Sequence, residues 1–99
     1  MVKLIALYTK PADPAAFDKH YREIHIPLVR KVPGLRRVEL SRTTGAPMGE
    51  PRYCLMAEMY FDNADSMAAA MKSPEMKAAG KDIMGVAGNL LHMMFAEVE

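Results

Sequence analysis

The chain has 99 residues, of which 51% are hydrophobic and 25% charged, and its formal net charge is +1. This length bounds it to one domain, 1–99, and the near-neutral charge argues against nucleic acid or an anionic membrane as the main partner. The lone cysteine, Cys54, cannot form an intrachain disulfide, and no apolar run is long enough to span a bilayer. The short run from Val2 to Tyr8, interrupted by Lys3, reads as a strand rather than a signal peptide, so a cytoplasmic protein is expected.

Val2 to Thr9 is apolar on both alternating faces apart from Lys3 and Thr9, as in a strand covered on both sides. Asp13-Pro14 is a helix start, with Asp as cap and Pro at the first helical position. At about 100° per residue, Phe17, Tyr21, Ile24 and Leu28 form the core stripe of the helix that follows. Asp18, Lys19, Arg22 and Glu23 form its solvated face, with charge pairs at i,i+4. His20 and His25 fall on opposite borders of the stripe, about 140° apart by the same arithmetic. Pro27 removes a backbone donor and disfavours helical geometry at Ile26, which predicts a kink near 24–26 and a short helical piece ending at Val32. Pro33-Gly34 closes the element.

Leu35 to Thr44 reads as a second strand whose Arg36, Arg37, Glu39 and Arg42 suit a sheet edge. A Gly/Pro-rich loop over 45–51 leads to a central strand from Arg52 to Phe61, apolar on both faces except for Glu58. A helix starts over 62–65, breaks at Ser73-Pro74 and resumes to about Met84. A turn over 85–89 precedes the last strand, Leu90 to Val98, apolar on both faces. The order strand, helix, strand, strand, helix, strand is that of an α+β ferredoxin-like sandwich with a four-stranded antiparallel sheet. Helices cover one face of such a sheet only. The apolar character of the other face therefore predicts a homodimer packed sheet to sheet, a dimeric α+β barrel.

The residues His20-Tyr21, His25-Ile26-Pro27-Leu28-Val29 and Pro33-Gly34-Leu35, with Phe61-Asp62 and Ser73-Pro74-Glu75 downstream, resemble the EthD family of the dimeric α+β barrel superfamily. The resemblance spans nearly the whole chain. It implies the same fold and dimer, with a pocket between sheet and helices in each subunit. It also implies a setting in small-molecule catabolism and a loose association with oxidoreductase chemistry. Superfamily relatives oxidise, cyclise, dehydrate or isomerise hydrophobic rings, often without a metal or organic cofactor.

His25 is the leading candidate for chemistry, because an imidazole exchanges protons near neutral pH. Tyr21, at i,i+4 from it, is placed to share a hydrogen bond and orient the ring. His25 fits equally well as a clamp on a backbone carbonyl freed by Pro27. His20, Tyr8, Tyr53 and His92 are candidate ligand contacts; the plainer readings are a boundary histidine, two core tyrosines and a buried, hydrogen-bonded histidine. No metal is expected: the helix histidines diverge and Cys54 has no ligand partner at a recognised spacing. No Gly-rich phosphate loop precedes a helix. No cofactor is expected. The residues and the resemblance together predict a small dimeric enzyme acting on a hydrophobic small molecule, by cofactor-independent oxidation or by proton transfer in an isomerisation, cyclisation or dehydration. The alternative is a non-catalytic binding or accessory protein of a degradation pathway.

Overall fold

In the computed structural model, which describes residues 1–99, β1 (Val2–Tyr8), β2 (Arg37–Arg42), β3 (Leu55–Phe61) and β4 (Leu91–Glu97) form one antiparallel sheet in the order β2-β3-β1-β4. Between β1 and β2 the chain runs through α1 (Pro14–His20), a π-helical turn (Tyr21–His25) and α2 (Ile26–Val29). Between β3 and β4 it forms α3 (Ala64–Met71) and α4 (Pro74–Ala87). This is the expected α+β ferredoxin-like architecture, with β1 and β3 central.

Strand alternation fixes what the helices cover. Leu4, Ala6 and Tyr8 of β1 and Leu55, Ala57, Met59 and Phe61 of β3 are buried beneath them. Phe61 and Leu4 meet Val29, Met67 and Met76 at one end of the core, while Tyr8 meets Phe17, Tyr21, Ile26 and Ile83 at the other. The helix starts follow local chemistry. Asp13 accepts the Ala16 N–H at 3.1 Å, and Asn63 accepts the Ser66 N–H at 2.8 Å while the Ser66 hydroxyl receives the Asn63 N–H. Asn63 is thus the cap, and α3 begins at Ala64 within the expected start segment 62–65. Ser73 caps α4 through the Met76 N–H and donates its own hydroxyl to the Ala70 carbonyl. That helix extends to Ala87, through Gly85, which the sequence placed in a turn. Here the packing of Ile83 and Ala87 outweighs the weak helical preference of glycine.

β3 begins at Leu55 rather than Arg52. Cys54 still donates its N–H to the Tyr8 carbonyl at 2.8 Å, so backbone pairing outlasts the regular strand. The kink expected at 24–26 is absent as a break: a wide π turn keeps the helix continuous, and it ends at Val29 rather than Val32.

The open face departs from a uniformly apolar surface. Cross-strand register places Arg37, Tyr60, Lys3 and Ala96 in one row, Glu39, Glu58, Ile5 and Met94 in the next, and Ser41, Met56, Leu7 and His92 in the third. Lys3 pairs with Glu58 at 2.6 Å, and the Arg37 guanidinium lies 3.9 Å from the Tyr60 ring centre. The β2 side is therefore polar, and only the β1–β4 side is apolar.

Gly34 has φ +80°, and a methyl placed there would meet no atom closer than 3.9 Å. Its requirement is conformational alone. Gly34→Ala should lower stability by about 1 kcal/mol, read as a shifted urea midpoint with an unchanged slope. An unchanged midpoint would refute the backbone argument.

Candidate functional site: two imidazoles on one carboxylate

Proline at position 27 cannot donate to the carbonyl of Glu23, and its ring would crowd that carbonyl in a regular α-helix. The preceding turn widens, and the Ile26 N–H donates to the Tyr21 carbonyl five residues back. One extra residue in that turn rotates everything after it. Ile24, expected in the core stripe, is 48% exposed, while His25, Ile26 and Val29 turn inward. Leu28 is only half-buried. The same widening brings residues five apart onto one face, so the two histidines converge rather than diverge.

They converge on Asp82 of α4. His20 Nε2 lies 2.8 Å from Asp82 Oδ1, and His25 Nδ1 lies 3.1 Å from Asp82 Oδ2. The carboxylate accepts, so His25 carries its proton on Nδ1 and His20 on Nε2 when each ring is neutral. His25 Nε2 then keeps a basic lone pair. Nε2 has no partner in the protein, yet no fully enclosed side-chain nitrogen or oxygen lacks one, so this atom retains contact with solvent. Side-chain exposure falls from 33% for His20 to 16% for Asp82 and 7% for His25, so the cluster runs from surface to interior.

Burial is the main influence on His25 and holds its pKa below the ordinary 6.5; the Asp82 carboxylate opposes this, and the nearby His20 adds to the lowering. The imidazole is accordingly neutral at pH 7. Tyr21 packs its ring against His25, tilted by 33° with ring centres 5.1 Å apart, instead of sharing a hydrogen bond with it. Phe17 stacks on Tyr21 at 5.4 Å, and Tyr8 meets the Tyr21 ring edge-on at 5.2 Å. Burial raises both phenols above their usual range, so neither ionises at neutral pH.

Tyr8, Tyr21, His20 and His25 thus belong to one assembly on the helix side of the sheet. Tyr53 and His92 lie apart from it. His92 is exposed on the open face beside Leu7, and the Tyr53 ring meets it edge-on at 5.6 Å. The buried setting expected for His92 fails because β4 is an edge strand. Tyr53 precedes β3 rather than lying within a central strand. Asp82 is the residue that sequence reasoning missed. Its signal was a carboxylate adjoining Ile83 in the apolar stripe Met76, Ala79, Ile83 and Ala87, but nothing local names its partners. No three His, Cys, Asp or Glu side chains are grouped to hold a metal ion.

Two small cavities lie between sheet and helices: one of about 140 Å³ between Pro14 and Phe17 of α1 and Arg42 and Leu55 of the sheet, the other of about 220 Å³ between Ala64 and Met67 of α3 and Val2 and Phe95 of the sheet. None of the four cavities is lined by His25, Tyr21 or Asp82. A cleft of about 320 Å³ is walled by Pro11, Ala16, Phe17, Val86 and Leu90, with Asp13 and Asn89 among its polar groups. Ala16 is one helical turn from His20 and Val86 one turn from Asp82, so the cleft adjoins the cluster along the α1–α4 groove.

The depressed His25 pKa has a definite sign in stability. Between that lowered value and 6.5 the unfolded chain binds the proton and the folded chain does not. Stability should therefore fall as pH drops below about 6.5, a trend followed by urea unfolding at several pH values. Asp82→Asn removes the group that opposes the lowering. It should move the His25 midpoint further down in a ¹⁵N imidazole NMR titration; an upward move would contradict the assigned contact.

Residues 9–87 match the EthD domain. The chain is 32% identical, over all of its length and 96% of the relative's, to an uncharacterised 11.0 kDa protein of the thcB–thcC intergenic region of Rhodococcus erythropolis. It is 52% identical to an EthD family protein of Bacillus halodurans whose solved structure superposes with a TM-score of 0.96, covering 100% of this chain and 99% of that one. Two more distant structures share the fold. A dimeric ferredoxin-like protein of unknown function from Bacteroides fragilis has 22% identity, TM-score 0.66 and coverage of 98% and 95%. SnoaB, a cofactor-independent oxygenase from Streptomyces nogalater, solved as the N63A mutant, has 14% identity, TM-score 0.72 and coverage of 99% and 92%. The domain match and the two closer relatives agree, and the chain belongs to the EthD family.

Proposed function

We propose that this chain acts as a homodimer on a hydrophobic small molecule, with His25 as a general base. The observation that carries the reading is the His25 Nδ1–Asp82 contact within a buried aromatic setting. Asp82 fixes the tautomer that leaves Nε2 free to take a proton. Tyr21 packs against the His25 ring and limits its rotation, and Tyr8 and Phe17 back it. Proton removal from a weakly acidic C–H or O–H is common to isomerisation, cyclisation and dehydration, and it is the opening step available to an oxygenation without cofactor. The SnoaB likeness supports the last option only as a shared fold.

The adjoining cleft, with its Phe17, Val86 and Leu90 walls, suits an apolar ligand. A second reading is a binding protein without chemistry, favoured by the absence of His25 from the walls of every cavity. To separate them, wild-type protein and His25→Gln are incubated with a panel of phenols and enolisable ketones and the products followed by mass spectrometry. Loss of about 10²-fold or more in turnover is expected of a missing general base. Equal turnover by the variant overturns the catalytic role.

The dimer rests on surface rather than on site. The accessible surface is 6279 Å², against about 5,600 Å² for an average monomer of this mass. The molecule is also flat, 38 × 30 × 19 Å. Met93, Met94, Phe95 and Val98 stay exposed on and beside β4, whose unpaired edge has no charge before Glu97. The fold is shared with a protein described as dimeric. Light scattering at low micromolar concentration should give twice the 11.0 kDa chain mass, and Met94→Lys should shift it toward the monomer. A monomeric wild-type protein would refute the assembly.

A further inference from the structure

The general-base reading leaves His20 without a task, and its geometry supplies one. We propose that His20 is a positioning residue for His25: it holds the one proton that the Asp82 carboxylate can balance, and so keeps its buried neighbour neutral with Nε2 free. The inference rests on the general-base reading for its purpose but not for its geometry.

Each carboxylate oxygen of Asp82 receives one imidazole, at 2.8 and 3.1 Å, so a single negative charge serves two rings. Both rings cannot become imidazolium without one positive charge left uncompensated beside the other. The ring that charges is the one whose cation keeps its hydration, and His20 has 33% of its side chain exposed against 7% for His25. The other ionisable groups around His25 do not compete. Tyr21 on its own turn and Tyr8 from β1 are buried neutral phenols. Arg22 and Glu23 on the same turn and Lys81 on α4 are exposed to solvent. No side chain other than Asp82 is hydrogen-bonded to either imidazole.

The arrangement has a chemical consequence. As pH falls, the first proton enters the cluster at the surface, forms the His20–Asp82 ion pair and leaves the inner base unprotonated. A lone histidine–aspartate pair of equal burial would instead draw that proton onto the base itself. His20 therefore widens, toward acid, the pH range over which Nε2 of His25 accepts a proton.

Long-range ¹H–¹⁵N NMR of the imidazoles tests this in the full-length protein with no substrate. In the wild type, His25 should remain neutral with its proton on Nδ1 at a pH where His20 is already imidazolium; the opposite order overturns the proposal without any variant. His20→Gln should raise the His25 midpoint by on the order of one pH unit, because the whole carboxylate then serves His25. His20→Lys restores a fixed positive charge and should return the midpoint toward the wild-type value. A midpoint that stays put or falls in His20→Gln, or that stays raised in His20→Lys, refutes the role. Turnover separates this proposal from the base assignment. If the midpoints move as stated while His25→Gln retains activity, the coupling stands and the catalytic reading falls. If His25→Gln is inactive and the midpoints do not move, the base stands without this support.

Discussion

A proline ring that cannot fit beneath a regular helical turn is the constraint on which the site depends. The conflict between Pro27 and the Glu23 carbonyl is relieved by widening the turn rather than by breaking the helix. That choice keeps α1, the π turn and α2 as one rod across the sheet and changes the phase of its second half. Ile26 and Val29 become core residues, Ile24 moves out, and His25 is drawn under the rod toward α4. A straight α-helix of the same sequence would bury Ile24 and leave the two histidines on separate borders. One unpaired backbone position thus decides both the packing of the helix and the composition of the cluster.

The sheet beneath supports this division of labour. Its helix-facing rows are apolar across β1 and β3, and they end against a dense ring assembly of Tyr8, Phe17, Tyr21 and His25. Its other face is graded from charged at β2 to apolar at β4. The charged edge resists pairing with stray strands, whereas the β4 edge has little to prevent it. An association that hides β4 while leaving the Lys3–Glu58 and Arg37–Tyr60 groups at its rim satisfies both halves of the surface. A uniformly apolar face would need complete coverage; in the proposed dimer a graded one would limit the direction from which a second copy approaches.

The strand and helix order was legible because period-two alternation and the Asp13, Ser73 and Pro14 signals are local. Strand ends were less so, since Cys54 pairs by backbone bonds outside regular strand geometry. The site was legible only in part. His25 and Tyr21 stood out by spacing, but the angular arithmetic that separated His20 from His25 assumed a constant 100° per residue. Pro27 gave warning of an irregularity without stating its form: a kink and a widened turn begin from the same missing N–H. Asp82 was invisible for a different reason. It lies 57 residues from His25 in sequence, and its significance arises only when α4 crosses the π turn. Tyr53 and His92 were carried along by residue type, and the register of an edge strand decided their separation.

The cluster is hard to account for by stability alone. An imidazole and a carboxylate at a helix–helix contact both lose hydration, and a well-packed apolar pair at such a place is commonly as stable or more so. Once present, however, the groups bind each other into place. Removing Asp82 would leave the His25 N–H unpaired in a poorly hydrated setting, a loss of about 1–3 kcal/mol. The contact between α4 and the π turn is therefore structural in what it prevents, whatever chemistry is proposed for it. Its second imidazole strengthens that argument. A clamp needs one ring on one oxygen, whereas a second, partly exposed ring on the other oxygen adds little to packing and alters where a proton resides. That asymmetry, more than the presence of a histidine in the core, is what favours the proposed role of His25 as a base over that of a clamp alone.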